Sequence, residues 1–80
     1  MISRATVARL TLGGMRSVHA ARAAHTALAG VEGVLRAEVA VGRATIEHDG
    51  RATRAAVAAA LAPLGYEVLE WEERRELTVL

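Results

Sequence analysis

Apolar positions along the chain follow two different periods, and the changes of period divide the sequence into six predicted elements. Four segments alternate apolar with polar residues, as half-buried strands do, and two segments repeat apolar residues at helical spacing. Glycines mark most of the junctions, where the chain must turn. The predicted strands are residues 5–12, 34–41, 44–48 and 66–71, and the predicted helices are residues 17–29 and 54–62.

Hydroxyl residues precede both predicted helices. Ser17 and Thr53 are good N-caps, because a side-chain oxygen can accept a hydrogen bond from a free amide of the first turn. Gly30 is expected to end the first helix in the C′ position, and Pro63 with Gly65 to end the second. The predicted buried stripes are Val18, Ala21, Ala24, Leu28 and Val31 in the first helix, and Val57, Leu61 and Leu64 in the second.

The order strand, helix, strand, strand, helix, strand predicts the fold class. Gly42 turns the second strand into the third, with Ala37, Val39 and Val41 facing the same way as Ala44, Ile46 and His48. Two βαβ crossovers that place both helices on one face of a four-stranded antiparallel sheet give an α+β, ferredoxin-like βαββαβ sandwich. This fold supports many activities, so function must be argued from a site.

The last residues carry a run of charges from Glu72 to Glu76. We expect one domain over residues 1–71, followed by a charged, solvated tail or linker over residues 72–80. An alternative follows from the segment Glu76 to Leu80, which resembles Arg9 to Leu12 of the first strand and would then begin a following domain.

Composition narrows the function classes. The formal net charge is +1, Cys and Phe are absent, and no apolar run approaches the ~20 residues of a membrane span. No secretion signal is recognisable, so we expect a cytoplasmic monomer that does not insert into membranes. The predicted central strands lack the aromatic platforms of RNA-binding sheets, which argues against nucleic acid as a partner. No nucleophile with a neighbouring base is evident, and Gly13-Gly14 is too short to cradle phosphate, so an enzyme is not expected.

Five short motifs follow one another along residues 5 to about 70. The first is Gly14-Met15-Arg16-Ser17-Val18-His19-Ala20, which opens an alanine-rich helix; the others are Ala27-Leu28, Gly33-Val34, Ala60-Leu61 and Gly65-Tyr66. The set resembles the heavy-metal-associated domains of copper chaperones, metal-transporting ATPases and mercuric reductases. In that family the loop reads Gly-Met-x-Cys-x-x-Cys.

The resemblance implies a site for a soft ion such as Cu(I) or Hg(II), which the family passes to a partner by ligand exchange. The two ligand cysteines correspond to Ser17 and Ala20, while Met15 and Tyr66 correspond to residues that support the loop. Thiolates at the start of a helix are stabilised by its positive end, and soft sulfur selects soft ions. The implied partners are a metal-transporting ATPase, a reductase or another metal-handling domain.

Serine and alanine remove that chemistry, since a hydroxyl is a poor ligand for a soft ion and a methyl group is none. Either the thiols drifted away naturally or they were replaced deliberately, and the placement of both changes on ligand positions favours replacement. We therefore expect no cofactor in this sequence, and Cu(I) or Hg(II) in a cysteine-containing parent. The alternative function is a regulatory or docking module that binds no metal and belongs to a larger protein, such as a metal-transporting ATPase or a mercuric reductase.

The three histidines differ as candidate ligands. His19 lies between the two ligand positions and is a candidate weak ligand, although an exposed polar role is favoured. His25 is out of phase with His19 on the helix, and His48 at the end of the third strand is expected to be structural or solvated.

Overall fold

The computed structural model describes the backbone of residues 2–79 and the side chains of residues 6–74. Its sheet has the strand order β2-β3-β1-β4, and every neighbouring pair is antiparallel. The elements are β1 (Ile2–Gly13), α1 (Val18–Ala29), β2 (Val34–Ala40), β3 (Arg43–His48), α2 (Arg54–Leu61), a 3-10 turn (Ala62–Leu64) and β4 (Glu67–Val79). The predicted ferredoxin-like sandwich is confirmed.

The core lies between the sheet and the two helices. Helix α1 packs on β2 and α2 packs on β4, so one face of the sheet is covered. Small alanines on facing elements allow the layers to approach closely, and Leu, Ile and Val fill the remaining space. The buried residues are Ala8, Leu10, Leu12, Met15, Ala21, Ala24, Leu28, Ala44, Ile46, Ala52, Val57 and Leu61.

The other face of the sheet is open. Its described side chains alternate in charge across the strands, and Arg36 Nη2 lies 2.7 Å from Glu38 Oε1. A broad concavity of about 740 Å³ on this face is lined by residues such as Arg9, Arg43 and Glu72. Interleaved charges of both signs suit a solvated surface. The concavity lies on the open face of the sheet and not at the loop between β1 and α1, where the sequence motifs predict a site.

Strand β4 is longer than predicted, and the expected charged tail is part of it. Residues Glu72 and Arg74 pair with Arg9 and Val7 of β1, and the ladder continues to Val79 opposite Ile2. A run of charges of both signs is compatible with an edge strand when a long neighbouring strand supplies the hydrogen bonds. Residues 76–79, which suggested a following domain, are paired with β1, and Leu80 lies outside the described residues.

Three residues of the predicted apolar stripes are exposed instead. Val18 is 66% exposed because it is the first helical residue, and the buried side of α1 begins at Ala21. Val41 is 47% exposed because β2 ends at Ala40 and Val41 lies in the turn. Leu64 is 39% exposed because the 3-10 turn that contains Pro63 replaces the last helical turn and changes the direction of its side chain.

The end of α1 also differs from the prediction. Gly30 is its C-cap but has a φ of −84°, whereas a C′ glycine would have a positive φ. The left-handed residue of this connection is Gly33, with a φ of +91°. The chain therefore leaves α1 in a helical conformation and reverses three residues later.

In the part of the chain that the structure describes, neither helix is long and apolar enough to cross a membrane.

Candidate functional site at the loop between β1 and α1

Two glycines bring the loop after β1 against the loop before β4. Gly14 has a φ of +90°, and a Cβ atom built on it would lie 2.6 Å from the carbonyl oxygen of Gly65. Gly65 itself is left-handed, with a φ of +81°. Only glycine allows both the backbone angle and the contact at position 14. The packing of these two loops therefore depends on the glycine at this position.

Met15 anchors the loop from below. Its side chain is 8% exposed and belongs to the core cluster. Tyr66 is partly buried against the same cluster, and its Cα lies next to Gly14. Both residues therefore lie beside the loop and against the core. The methionine side chain is flexible, so it can fill an irregular gap between the loop and the core without constraining the other residues of the loop.

Ser17 begins α1 in the way the sequence predicted. Its backbone is extended, and its Oγ accepts a hydrogen bond of 3.2 Å from the backbone N–H of Ala20. This bond places positions 17 and 20 side by side, one exposed on the loop and one partly buried in the first turn. Positions 17 and 20 are therefore neighbours at the start of α1.

The present side chains do not fit a soft ion. The Ser17 hydroxyl already accepts the capping bond, Ala20 has no donor atom, and Met15 is turned into the core. A soft ion prefers thiolate, thioether or imidazole ligands. Within the described residues, no three His, Asp or Glu side chains converge in a way that could hold a metal ion. The loop thus has the shape of a site without its donors.

The histidines are far apart in the structure. His19 is exposed in the first turn of α1, and His25 is exposed farther along the same helix. His48 is buried at 1% exposure near the opposite end of the molecule. Its Nδ1 accepts a bond of 3.0 Å from the backbone N–H of Gly50, so the ring proton resides on Nε2. His48 is structural, one of the two roles that the sequence predicted for it.

Exposed apolar side chains lie beside the loop, and one of them was missed from the sequence. The register between β1 and β4 shifts, which leaves Leu69 in a bulge. Leu69 is 52% exposed, and its Cδ1 would lie 3.2 Å from a Cβ atom on Gly13. Arg54 of α2 donates to the carbonyl oxygens of Val68 and Leu69, which stabilises the bulge. The available signal was the consecutive apolar pair 68–69, which breaks the alternation of the strand.

The sequence matches no protein-family model and no curated protein sequence. Several solved structures are similar. A protein described as the CopZ metallochaperone is 26% identical, with a TM-score of 0.70 over 79% of this chain and 98% of its own. The N-terminal domain of ZntA in its Zn(II) form is 26% identical, with a TM-score of 0.68 over 89% of this chain and 92% of its own.

Oxidized MerP from Ralstonia metallidurans CH34 is 21% identical, with a TM-score of 0.65 over 88% of this chain and all of its own. At that identity the likeness concerns the fold alone. The contact between Gly14 and Gly65, the buried methionine and the capped helix agree with the motif order found in the sequence. This chain has the fold of the heavy-metal-associated domains.

Proposed function

We propose that this chain is a docking or regulatory domain in the handling of soft metal ions. It presents the loop of a heavy-metal-associated domain to a partner and does not itself carry the ion. The observation that supports this most directly is the loop itself, which keeps its backbone contacts and its buried methionine although neither ligand position has a sulfur atom.

The partner in this proposal is a metal-transporting ATPase, a reductase or another metal-handling domain. Similar structures carry the descriptions of a metallochaperone and of the N-terminal domain of ZntA. The exposed apolar residues near the loop are Val18, Leu64 and Leu69, and such residues contribute to protein contacts. The chain acts as a cytoplasmic monomer and catalyses no reaction in this proposal.

A cysteine-containing form would be an ion carrier. Thiolates at positions 17 and 20 would replace the hydroxyl and the methyl group without moving the backbone, because Cys is close to both in size. The positive end of α1 and the first-turn amides would favour the thiolate form. The same scaffold therefore supports either role, and the side chains at two positions decide between them.

The experiment compares the chain as it stands with the double variant Ser17→Cys, Ala20→Cys under reducing conditions. A chromogenic chelator competes for Cu(I) and, separately, for Hg(II). We expect the double variant to bind one ion per chain and the unchanged chain to bind several orders of magnitude more weakly, because both soft ligands are missing. At least one thiol of the double variant should have a pKa below the free value of about 8.5.

Two controls make the outcome decisive. Ser17→Cys alone should bind weakly or bridge two chains, because one thiolate does not complete a site. Melting temperatures of the chain and the double variant without metal should be similar, since the change is confined to the loop and first turn. Tight one-to-one binding by the unchanged chain would refute the proposal and implicate His19 and Met15. A folded, reduced double variant that binds neither ion would show that only the fold is shared with the family.

A further inference from the structure

The outer edge of strand β2 has no neighbouring strand among the residues that the structure describes. In the order β2-β3-β1-β4, β3 pairs with one side of β2, and the other side faces outward. Such an edge carries backbone N–H and C=O groups that can pair with another chain, so proteins usually protect their edges with charges, proline or bulges. The two edges of this sheet, β2 and β4, are protected to different degrees.

Strand β4 is the better protected edge. Its exposed charged side chains in the described part of the chain are mostly acidic: Glu67, Glu70, Glu72, Glu73 and Arg74. Like charges on neighbouring strands repel each other, so a second strand of this kind would be unfavourable beside β4.

Strand β2 has fewer charges and more exposed apolar surface. It contains one acidic and one basic residue and no proline. Leu35 is 64% exposed, because the register with β3 shifts between Val34 and Arg36 and leaves it in a bulge. The rest of the strand, up to Ala40, pairs regularly with β3, and Val41 beyond it is 47% exposed. A regular edge with few charges and apolar ends can accept a further strand.

The two charged residues of β2 lie symmetrically about Ala37. Arg36 and Glu38 share the open face of the sheet, where Arg36 Nη2 lies 2.7 Å from Glu38 Oε1. If β2 pairs with its own copy in antiparallel orientation, a two-fold axis passes through one residue position, since opposite residues lie on the same face. An axis at Ala37 places Arg36 opposite Glu38 of the second copy, and Leu35 opposite its Val39. An axis at Arg36 or at Glu38 places like charges opposite each other.

We propose that the outer edge of β2 pairs with the same edge of a second copy of this chain, antiparallel and centred on Ala37. Two four-stranded sheets then form one continuous sheet, with two ion pairs of Arg36 and Glu38 between the chains. The paired edge is short and its ion pairs are exposed, so the dimer is weak and the chain is a monomer at low concentration. This inference goes beyond the proposed function, which needs only a single chain.

The dimer leaves the loop after β1 accessible in both copies. Strands β1 and β2 run in the same direction, because both are antiparallel to β3. The turn after β2 therefore lies at the same end as that loop, and the backbone N–H of Leu12 donates to the carbonyl oxygen of Gly42. The two-fold axis directs the loop of the second copy to the opposite end of the sheet. Each copy can then dock its own partner, so the dimer links two partners.

The test measures the mass of the chain by sedimentation velocity from about 10 µM to about 1 mM, at about 50 mM salt, where charges are weakly screened. The mass should rise from that of one chain toward that of two. Arg36→Glu alone and Glu38→Arg alone should each lower the affinity at least about tenfold, because two attractive pairs become repulsive. The double variant Arg36→Glu, Glu38→Arg should restore the affinity, as should an equimolar mixture of the two single variants.

Arg43→Glu is the matched control, because it makes the same change of charge on β3, away from the edge, and should leave the affinity nearly unchanged. Association of the mixture shows that both single variants are folded. A chain that stays monomeric up to about 1 mM would overturn the proposal and leave the edge to a strand of another protein.

Three further results would also overturn it: an equal loss of affinity in the Arg43 variant, a mixture that does not associate, and assemblies larger than two chains. The last would indicate unspecific pairing of edges. Strand β2 contains neither of the two positions changed to cysteine in the metal competition, so the proposed function fails or stands in its own assay.

Discussion

The two ends of the sandwich are built differently. At the end that holds the loop after β1, backbone contacts and one buried methionine set the structure, and the surrounding side chains are exposed. At the opposite end, side chains bind one another. Asp49 accepts bonds from the backbone N–H and the Nε of Arg51, whose Nη1 lies 2.8 Å from Glu32 Oε1. The loop end leaves its side chains free to contact a partner, whereas the side chains at the opposite end bind one another within the fold.

The glycines of the two ends show the same contrast. A Cβ atom on Gly33 would lie 2.5 Å from Asp49 Oδ1 and 2.8 Å from Arg51 Cβ, both side-chain atoms, whereas one on Gly14 would meet the backbone oxygen of Gly65. A carboxylate can rotate away, but Arg51 Cβ and the carbonyl group of Gly65 move only with their backbone. The loop end is therefore fixed in its backbone although its surface side chains are free.

The histidines separate the two ends as well. His48 Nε2 is buried, lies 3.2 Å from Glu73 Oε1, and has no partner with hydrogen-bond geometry among the described residues. We regard the pair as a close electrostatic contact, because the distance is short but the alignment is poor. His19 at the loop end is exposed. Position in the fold, rather than residue type, decides which histidine has a structural role.

Substituting glycines with alanine should give the largest effect on stability. Gly14→Ala should destabilise by at least about 3 kcal/mol, because a positive φ and a contact with a fixed backbone oxygen act together. Gly33→Ala should also cost more than a positive φ alone, because Asp49 must move and Arg51 Cβ lies 2.8 Å from the new Cβ position. Gly50→Ala is the control, with a φ of +97° and nothing within 4 Å of its Cβ position, and should cost about 1–2 kcal/mol. Urea unfolding measures all three, and a Gly14 variant no worse than the Gly50 variant would contradict the loop contact.

Replacing the histidines should give the next largest difference between the ends. We expect His48→Ala to lower the free energy of unfolding by about 2–4 kcal/mol, because it opens a cavity and removes the acceptor of the Gly50 N–H. His19→Ala should change it by less than about 0.5 kcal/mol, as exposed substitutions usually do. Thermal melts of both variants at one pH test the difference. Equal effects would mean that the burial of His48 does not contribute to the stability of the opposite end.

The smallest effect concerns the acid dependence of the Asp49 network. The hydrogen bond from the Arg51 side chain, with the Arg51 backbone N–H and its charge, lowers the pKa of Asp49 below its ordinary value of 3.8. A carboxyl with a lowered pKa in the folded state stabilises the fold at neutral pH, and this contribution is lost as the pH falls below that value. Asp49→Asn should therefore flatten the loss of stability in acid.

Arg51→Ala removes the main cause of the lowered pKa and should flatten the same curve. Melting temperatures measured from about pH 6 down to about pH 2 provide the comparison, in the range where carboxyl groups titrate. The chain and its Asp49→Asn variant should converge at the acid end. Parallel curves over the whole range would rule out this contribution of the network.

Much of the site was predictable from the sequence because its features are local. Ser17 caps α1 through an N–H only three residues away, and the glycine at position 14 indicates a positive φ, which other residues avoid. The absence of cysteine is visible without any structure. The fold class could be predicted for the same reason, because apolar residues repeat with a characteristic period in each element and the order of the elements allows few topologies.

The features that could not be predicted from the sequence depend on contacts between residues that are distant along the chain. The charges from Glu72 onward resemble a tail until β1 is seen to pair with them, and Leu69 becomes an exposed bulge only through the register of those two strands. Val18 fits the apolar stripe of α1 but lies at the first turn, outside the core. The sequence by itself determined the elements, the loop and the missing ligands, because these are set by neighbouring residues. The tertiary structure decided which side chains are left exposed for a partner, because burial depends on what packs against each residue.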